Sequence, residues 1–232
     1  MVPINKGFEP RELVSYRATP GASYDGMPSD CKDSVKESLL HEQGFVCAYR
    51  MSVINVDNST IEHWDAQTNQ HGNDLSYGNM LAVCRKEGLP KTKQTCDVAK
   101  NGFPLKYNPA CHMDAVRMAI YYNLHDGTIC SRDDEFNKQL NEVLNLNVSI
   151  LKSNRLAVLK AAMKALAKNT PAQLIEKYRP DTSVNPHFIE YCGIAFHYLL
   201  KELLGKPLAL FRSQVFAQHE FFVFPGFQAV LQ

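Results

Sequence analysis

No apolar run in this chain reaches the roughly 20 residues that a membrane-spanning helix requires, and the opening stretch from Met1 to Lys6 has no signal-peptide core. The expectation is a cytoplasmic protein without a membrane partner. Charge of one sign is lacking as well. The 25 Lys and Arg residues against 24 Asp and Glu leave a formal charge of +1, so any basic face for nucleic acid must be local or supplied by a partner. A secreted disulfide scaffold is excluded by the seven cysteines, an odd number in a chain of 232 residues. They fit a reducing compartment, with thiols that are core, metal-binding or idle. What is there is ordinary for a globular fold: 45% hydrophobic and 21% charged residues can bury a core as one domain, or as a small catalytic domain with a helical companion.

Residues 1–29 mix Pro, Gly, Ser and Tyr and read as an extended arm with one short helical turn near 9–16. Residues 30–112 form the core. Ser29 or Asp30 is placed to cap a helix to about Gln43, with Val35, Leu39 and Leu40 on its apolar face and Gly44 as its stop. Short strands follow over 45–49, 51–54 and 60–64, and a helix over 77–83 that Cys96 to Lys100 would resume after a basic insertion. Residues 113–205 read as a hairpin about His125, Asp126 and Gly127, then helices. One of these sets Leu156, Leu159, Met163 and Leu166 opposite Lys152, Arg155, Lys160, Lys164 and Lys168, a solvated basic face. Residues 206–232 are an aromatic tail that must pack on the body, a second copy or a partner.

One set of residues carries chemistry. Glu62 precedes His63 on a strand, Asn79 precedes an apolar pair, and Asp97 stands three residues ahead of Lys100. Phosphodiester hydrolysis needs a water made nucleophilic, and His63 suits that because imidazole titrates near working pH. It also needs a hard cation, Mg or Mn for example, against the charge on phosphate and leaving oxygen, and Glu62 and Asp97 are suitable oxygen ligands. Asn79 would brace the loop that carries the base. Lys100 would contact phosphate or pair with Asp97. The pattern is that of a one-metal nuclease finger.

Residues 40–102 resemble the HNH endonucleases that serve as the second component of Septu anti-phage defence and of some retron operons, the PtuB family. The words that carry the resemblance run in order: Gln43, Gly44, Phe45, Val46, Cys47, Ala48 and Tyr49; Ile61, Glu62 and His63; Leu75 through Ala82 about Asn79; and Cys96 through Lys100. Similar words recur at Val143 to Asn147 and Glu190 to Gly193, so the likeness spans residues 5 to about 204. It implies an α+β fold, a ββα-metal (HNH) finger with small β-hairpin elements and a helical C-terminal half. It also implies control by a PtuA-like ATPase of the ABC/SMC type, with DNA ahead of tRNA as substrate. Two further readings stay open: a catalytically degenerate nucleic-acid- or partner-binding module, and an RNase acting on tRNA.

HNH fingers often hold a structural zinc with two Cys-x-x-Cys pairs, and here the pattern departs. Cys47 is followed by Arg50 where the second cysteine belongs, and Cys84 and Cys96 are far apart. Cys47, Cys84 and Cys96 supply three of the four ligands that a closed zinc site takes, leaving His71 or Cys111 to complete it. A structural zinc is not expected, and the thiols read as small buried hydrophobes.

Overall fold

The computed structural model describes residues 1–67, 72–85, 90–178 and 187–205. The chain is α+β, with eight α-helices and two antiparallel two-stranded sheets among the described residues. The aromatic tail and His71 lie outside them.

Helix α1 (Arg11–Arg17) and helix α2 (Ser29–Glu42) pair with each other. Helix α2 buries Cys31, Val35, Leu39 and Leu40, a stripe at helical spacing, against the first sheet. Its start differs from the reading by capping chemistry. Pro28 occupies the cap, Ser29 is already helical, and no side chain caps the helix. At its end Gly44 has φ +60°, and a Cβ there would run into the Phe188 ring, so glycine is required. The arm is packed rather than loose: Met1, Ile4, Leu13 and Met27 are all buried in the main core.

Strands β1 (Ser59–His63) and β2 (Met80–Cys84) pair with Ser59 opposite Cys84 at one end and His63 opposite Met80 at the other. The helix predicted over 77–83 is instead a tight turn at Tyr77–Asn79 leading into β2. Every residue of β2 is buried, and a short continuous apolar run has no periodicity to separate strand from helix. Residues 45–54 make no strand pair, only a bridge between Val46 and Val53 around a turn at Cys47. That turn covers the free side of β2. Ala48 N–H donates to the Ala82 carbonyl at 3.1 Å, and the Gln43 side-chain amide satisfies both backbone groups of Ala82, at 2.7 and 2.8 Å. Helix α3 (Cys96–Lys100) packs on β2, giving a ββα unit.

Helix α4 (Met113–Ala119) replaces the first part of the predicted hairpin, which is formed by β3 (Ile120–Tyr122) and β4 (Ile129–Ser131). Gly127 turns it at φ +75°, where a Cβ would meet the Lys152 carbonyl. Helix α5 (Asp134–Lys138) is capped by Asp133, whose Oδ1 accepts from Phe136 N–H at 2.9 Å. Helices α6 (Ser149–Ala165), α7 (Pro171–Tyr178) and α8 (Cys192–Leu204) pack around a second core of Ala162, Leu174, Ala195 and Leu199. Arg155 leaves the basic face assigned to it. It is buried and donates to the carbonyls of Gly127 and Leu146 at 3.1 and 2.7 Å, which offset the cost of burying its charge. Met163, placed on the apolar face, is half exposed.

Candidate active site and thiol cluster

The ββα unit has two polar ends. At one end β1 delivers Glu62 and His63, β2 begins just after Asn79, and the last turn of α3 delivers Lys100 with Asp97 one turn before it. Lys100 Nζ lies 2.7 Å from Glu62 Oε1 and donates to the His63 carbonyl at 3.0 Å. The predicted Asp97 partnership is thus replaced by one with Glu62. At 1% exposure Lys100 is closed to a phosphate and acts as a positioning residue. It neutralises one buried carboxylate and fixes the backbone under the imidazole.

Asp97 stands near enough to Glu62 to act on its carboxyl, although the two are far apart in the chain. Burial pushes the Glu62 carboxyl up to about 8; Asp97 adds to this, and Lys100 opposes it. The Tyr49 hydroxyl stands 3.5 Å from Glu62 Oε1. Glu62 is buried and Asp97 half-buried, so the pair has one side toward solvent. Two acids share one lysine charge here. Two carboxyl groups are thus available as hard oxygen donors at this end.

His63 is 6% exposed and its Nε2 lies 2.8 Å from the Asp74 carbonyl. A carbonyl only accepts, so Nε2 carries the hydrogen and the neutral ring keeps its lone pair on Nδ1. Burial lowers the His63 pKa, against the opposing pull of Asp74, which holds the ring in that basic, uncharged form. Asn79 clamps the loop that begins after β1. Its Oδ1 accepts from Asp65 N–H at 2.8 Å, and its Nδ2 donates to the Asp65 carbonyl at 3.0 Å and toward the Asn73 carbonyl at 3.4 Å. The same loop then presents Asp74 to His63.

Residues outside the sequence reading complete this end. The Tyr24 ring stands edge-on to His63, with centroids 4.5 Å apart at 87°. The Tyr24 N–H donates to Asp74 Oδ2 at 3.0 Å. Burial pushes the Tyr24 phenol up to about 12, with Asp25, Asp97 and Glu62 adding to it. Nothing in the sequence near Tyr24 signals this contact, and Asp74 acts partly through a backbone carbonyl that any residue would supply.

At the other end Cys47, Cys84 and Cys96 bring their sulfurs within 4.8 Å of one another, all buried. This cluster can hold a metal ion. Packing alone, the role read from sequence, does not describe it: Cys47 and Cys96 sulfurs are 3.6 Å apart, and Cys84 N–H donates to the Cys47 sulfur at 3.4 Å. Burial pushes the Cys47 thiol up, yet hydrogen bonds from Cys84, Cys96 and the backbone outweigh it and bring it well below the usual thiol range. The Arg50 guanidinium is raised by the nearby sulfurs against the opposing effect of burial. Cys111 is exposed beside the Gly78 carbonyl and is not part of the cluster. Among the described residues no fourth His, Cys or acid joins it, and all seven cysteines are free of disulfides.

No protein-family model matches the chain, and no curated protein matches it. No described helix is long and apolar enough to cross a membrane.

Proposed function

We propose that the chain is a metal-dependent HNH-type endonuclease of the PtuB kind, a cytoplasmic effector of anti-phage defence held by an ABC/SMC-type ATPase, with DNA as its first substrate. The observation that carries this reading is a ββα unit that brings Glu62, His63 and Asp97 from separate elements to one end, with Asp97 acting on Glu62 and Asn79 bracing the loop that follows His63. His63 Nδ1 takes the proton of the attacking water. The Asp74 carbonyl holds the ring at Nε2 and steadies the charge it gains. Glu62 and Asp97 would hold the divalent cation, which when bound offsets the charge developing on the phosphate and leaving oxygen. Lys100 keeps Glu62 aimed. Such a site reads backbone rather than bases, which implies little sequence choice and a need for external control.

The burial of His63 favours a second reading, a binding module that retains the residues without the reaction. Incubating supercoiled plasmid and total tRNA with Mg or Mn ions, with wild type and His63→Ala, separates the readings. Loss of about 100-fold or more in the variant supports the enzyme. Equal activity in the two proteins removes it, and cleavage of tRNA alone assigns the RNase.

A further inference from the structure

The segment between α1 and α2, residues 18–28, reaches this site through Tyr24. Two of its contacts converge on the catalytic end: the Tyr24 ring on the His63 imidazole at 4.5 Å, and the Tyr24 N–H on Asp74 Oδ2 at 3.0 Å. Asp74 is shared, since its carbonyl holds His63 Nε2 at 2.8 Å. The cap and the base therefore hang on one loop residue. Lys32 Nζ braces the outer side of the segment, 4.9 Å from the Tyr24 ring centroid.

Met27 anchors the C-terminal end of the segment in the main core, and the stretch before it is held more lightly. The backbone hydrogen bonds described for it close local turns, Thr19 to Tyr16, Ala22 to Thr19 and Met27 to Tyr24, rather than joining it to the sheet. Its flanks are fastened independently. Leu13 is buried, Arg17 donates to the Leu75 carbonyl at 3.1 Å, and α2 is packed along its length. Gly21, at φ +74°, has nothing within 4 Å of the position a Cβ would take, and so marks a free bend between fixed helices.

We propose that residues 18–26 are an autoinhibitory strap in which Tyr24 caps His63 and keeps a phosphodiester from the site until the strap lifts. The capping stands on the geometry; its regulatory meaning rests on the nuclease reading. A strap of this kind answers the burial that otherwise speaks against catalysis. Part of the cover over His63 is the Tyr24 ring, carried on this segment.

The test compares wild type, Tyr24→Ala and Tyr24→Phe, each checked for folding by circular dichroism. The first readout is the rate at which diethyl pyrocarbonate modifies His63, followed by peptide mass mapping with the other histidines as internal standards. The second is Mn-dependent nicking of supercoiled plasmid. Loss of the ring contact is expected to speed both by about 10-fold in Tyr24→Ala, with Tyr24→Phe close to wild type because the edge-on ring is kept. Equal His63 modification in Tyr24→Ala and wild type overturns the strap, whatever the nicking shows. Faster modification with no nicking in any variant keeps the strap and removes the nuclease reading.

Discussion

The two ends of the ββα unit use the same three elements for opposite purposes. At the His63–Met80 end the groups are hard, a neutral imidazole with carboxylate and ammonium groups whose charges burial penalises. At the Ser59–Cys84 end they are soft, three thiols held by weak hydrogen bonds. Five residues of strand separate the two ends, on the order of 15 Å. What the difference teaches is a division of labour: the sulfur end fastens α3 to the turn at Cys47, and the oxygen end is thereby held in register. Substitutions at the sulfur end should cost stability before activity, and those at the oxygen end should do the reverse, with Lys100 as the exception that links them.

The largest effect on stability is expected from that exception. Lys100→Met leaves the buried Glu62 beside Asp97 without its counter-charge and should cost about 3–5 kcal/mol, read as a lowered urea midpoint. A variant as stable as wild type would mean that a cation or a shared proton already does this work. Cys96→Ala should cost about 1–3 kcal/mol through lost packing and lost sulfur hydrogen bonds, with plasmid cleavage retained. Metal analysis sharpens this prediction. With Arg50 where a fourth ligand would stand, the purified chain should carry no stoichiometric zinc, and one zinc per chain would show that the cluster is completed by another residue. Asn79→Ala should cost about 1–2 kcal/mol for its clamp on Asp65 and slow cleavage by about 10-fold through a looser histidine loop.

The smallest effect lies outside both ends. The Lys152 ammonium at 2.6 Å, with Thr128, holds the Asp126 carboxyl down at about 2. A carboxyl depressed in the folded state stabilises above its unfolded value near 3.9 and loses that contribution as pH falls toward 2. Because solvent reaches both side chains of the pair and screens it, Asp126→Asn should change stability at pH 7 by under about 1 kcal/mol. A larger change in thermal melting would show that the hairpin turn at Gly127 depends on the pair.

Much of this was legible in the chain. The α2 face from Val35 to Leu40, the Asp133 cap, the Asp126–Gly127 turn and strand β1 all follow from spacing and turn chemistry. Glu62, His63, Asn79, Asp97 and Lys100 stand out in the sequence because each has a different chemical part, and the fold puts them at one end of the ββα unit. Four things were not legible. Strand β2 is apolar on both faces and has no period to read. The sulfur cluster is closed by a turn whose geometry is tertiary, so a count of ligands could not reveal that the thiols meet. Arg155 looked solvated because its partners are backbone carbonyls, which leave no mark in a sequence. Tyr24 escaped for a related reason: its role comes from where the arm docks, not from any neighbour in the chain.

The most direct test of the two-ended design is Mn-dependent cleavage of supercoiled plasmid by Asp97→Asn beside Cys84→Ala, with a melting temperature for each. The expected result is a loss of about 100-fold or more for Asp97→Asn with its melting temperature kept, and near wild-type cleavage with a lowered melting temperature for Cys84→Ala. Cleavage by Asp97→Asn at the wild-type rate would contradict it.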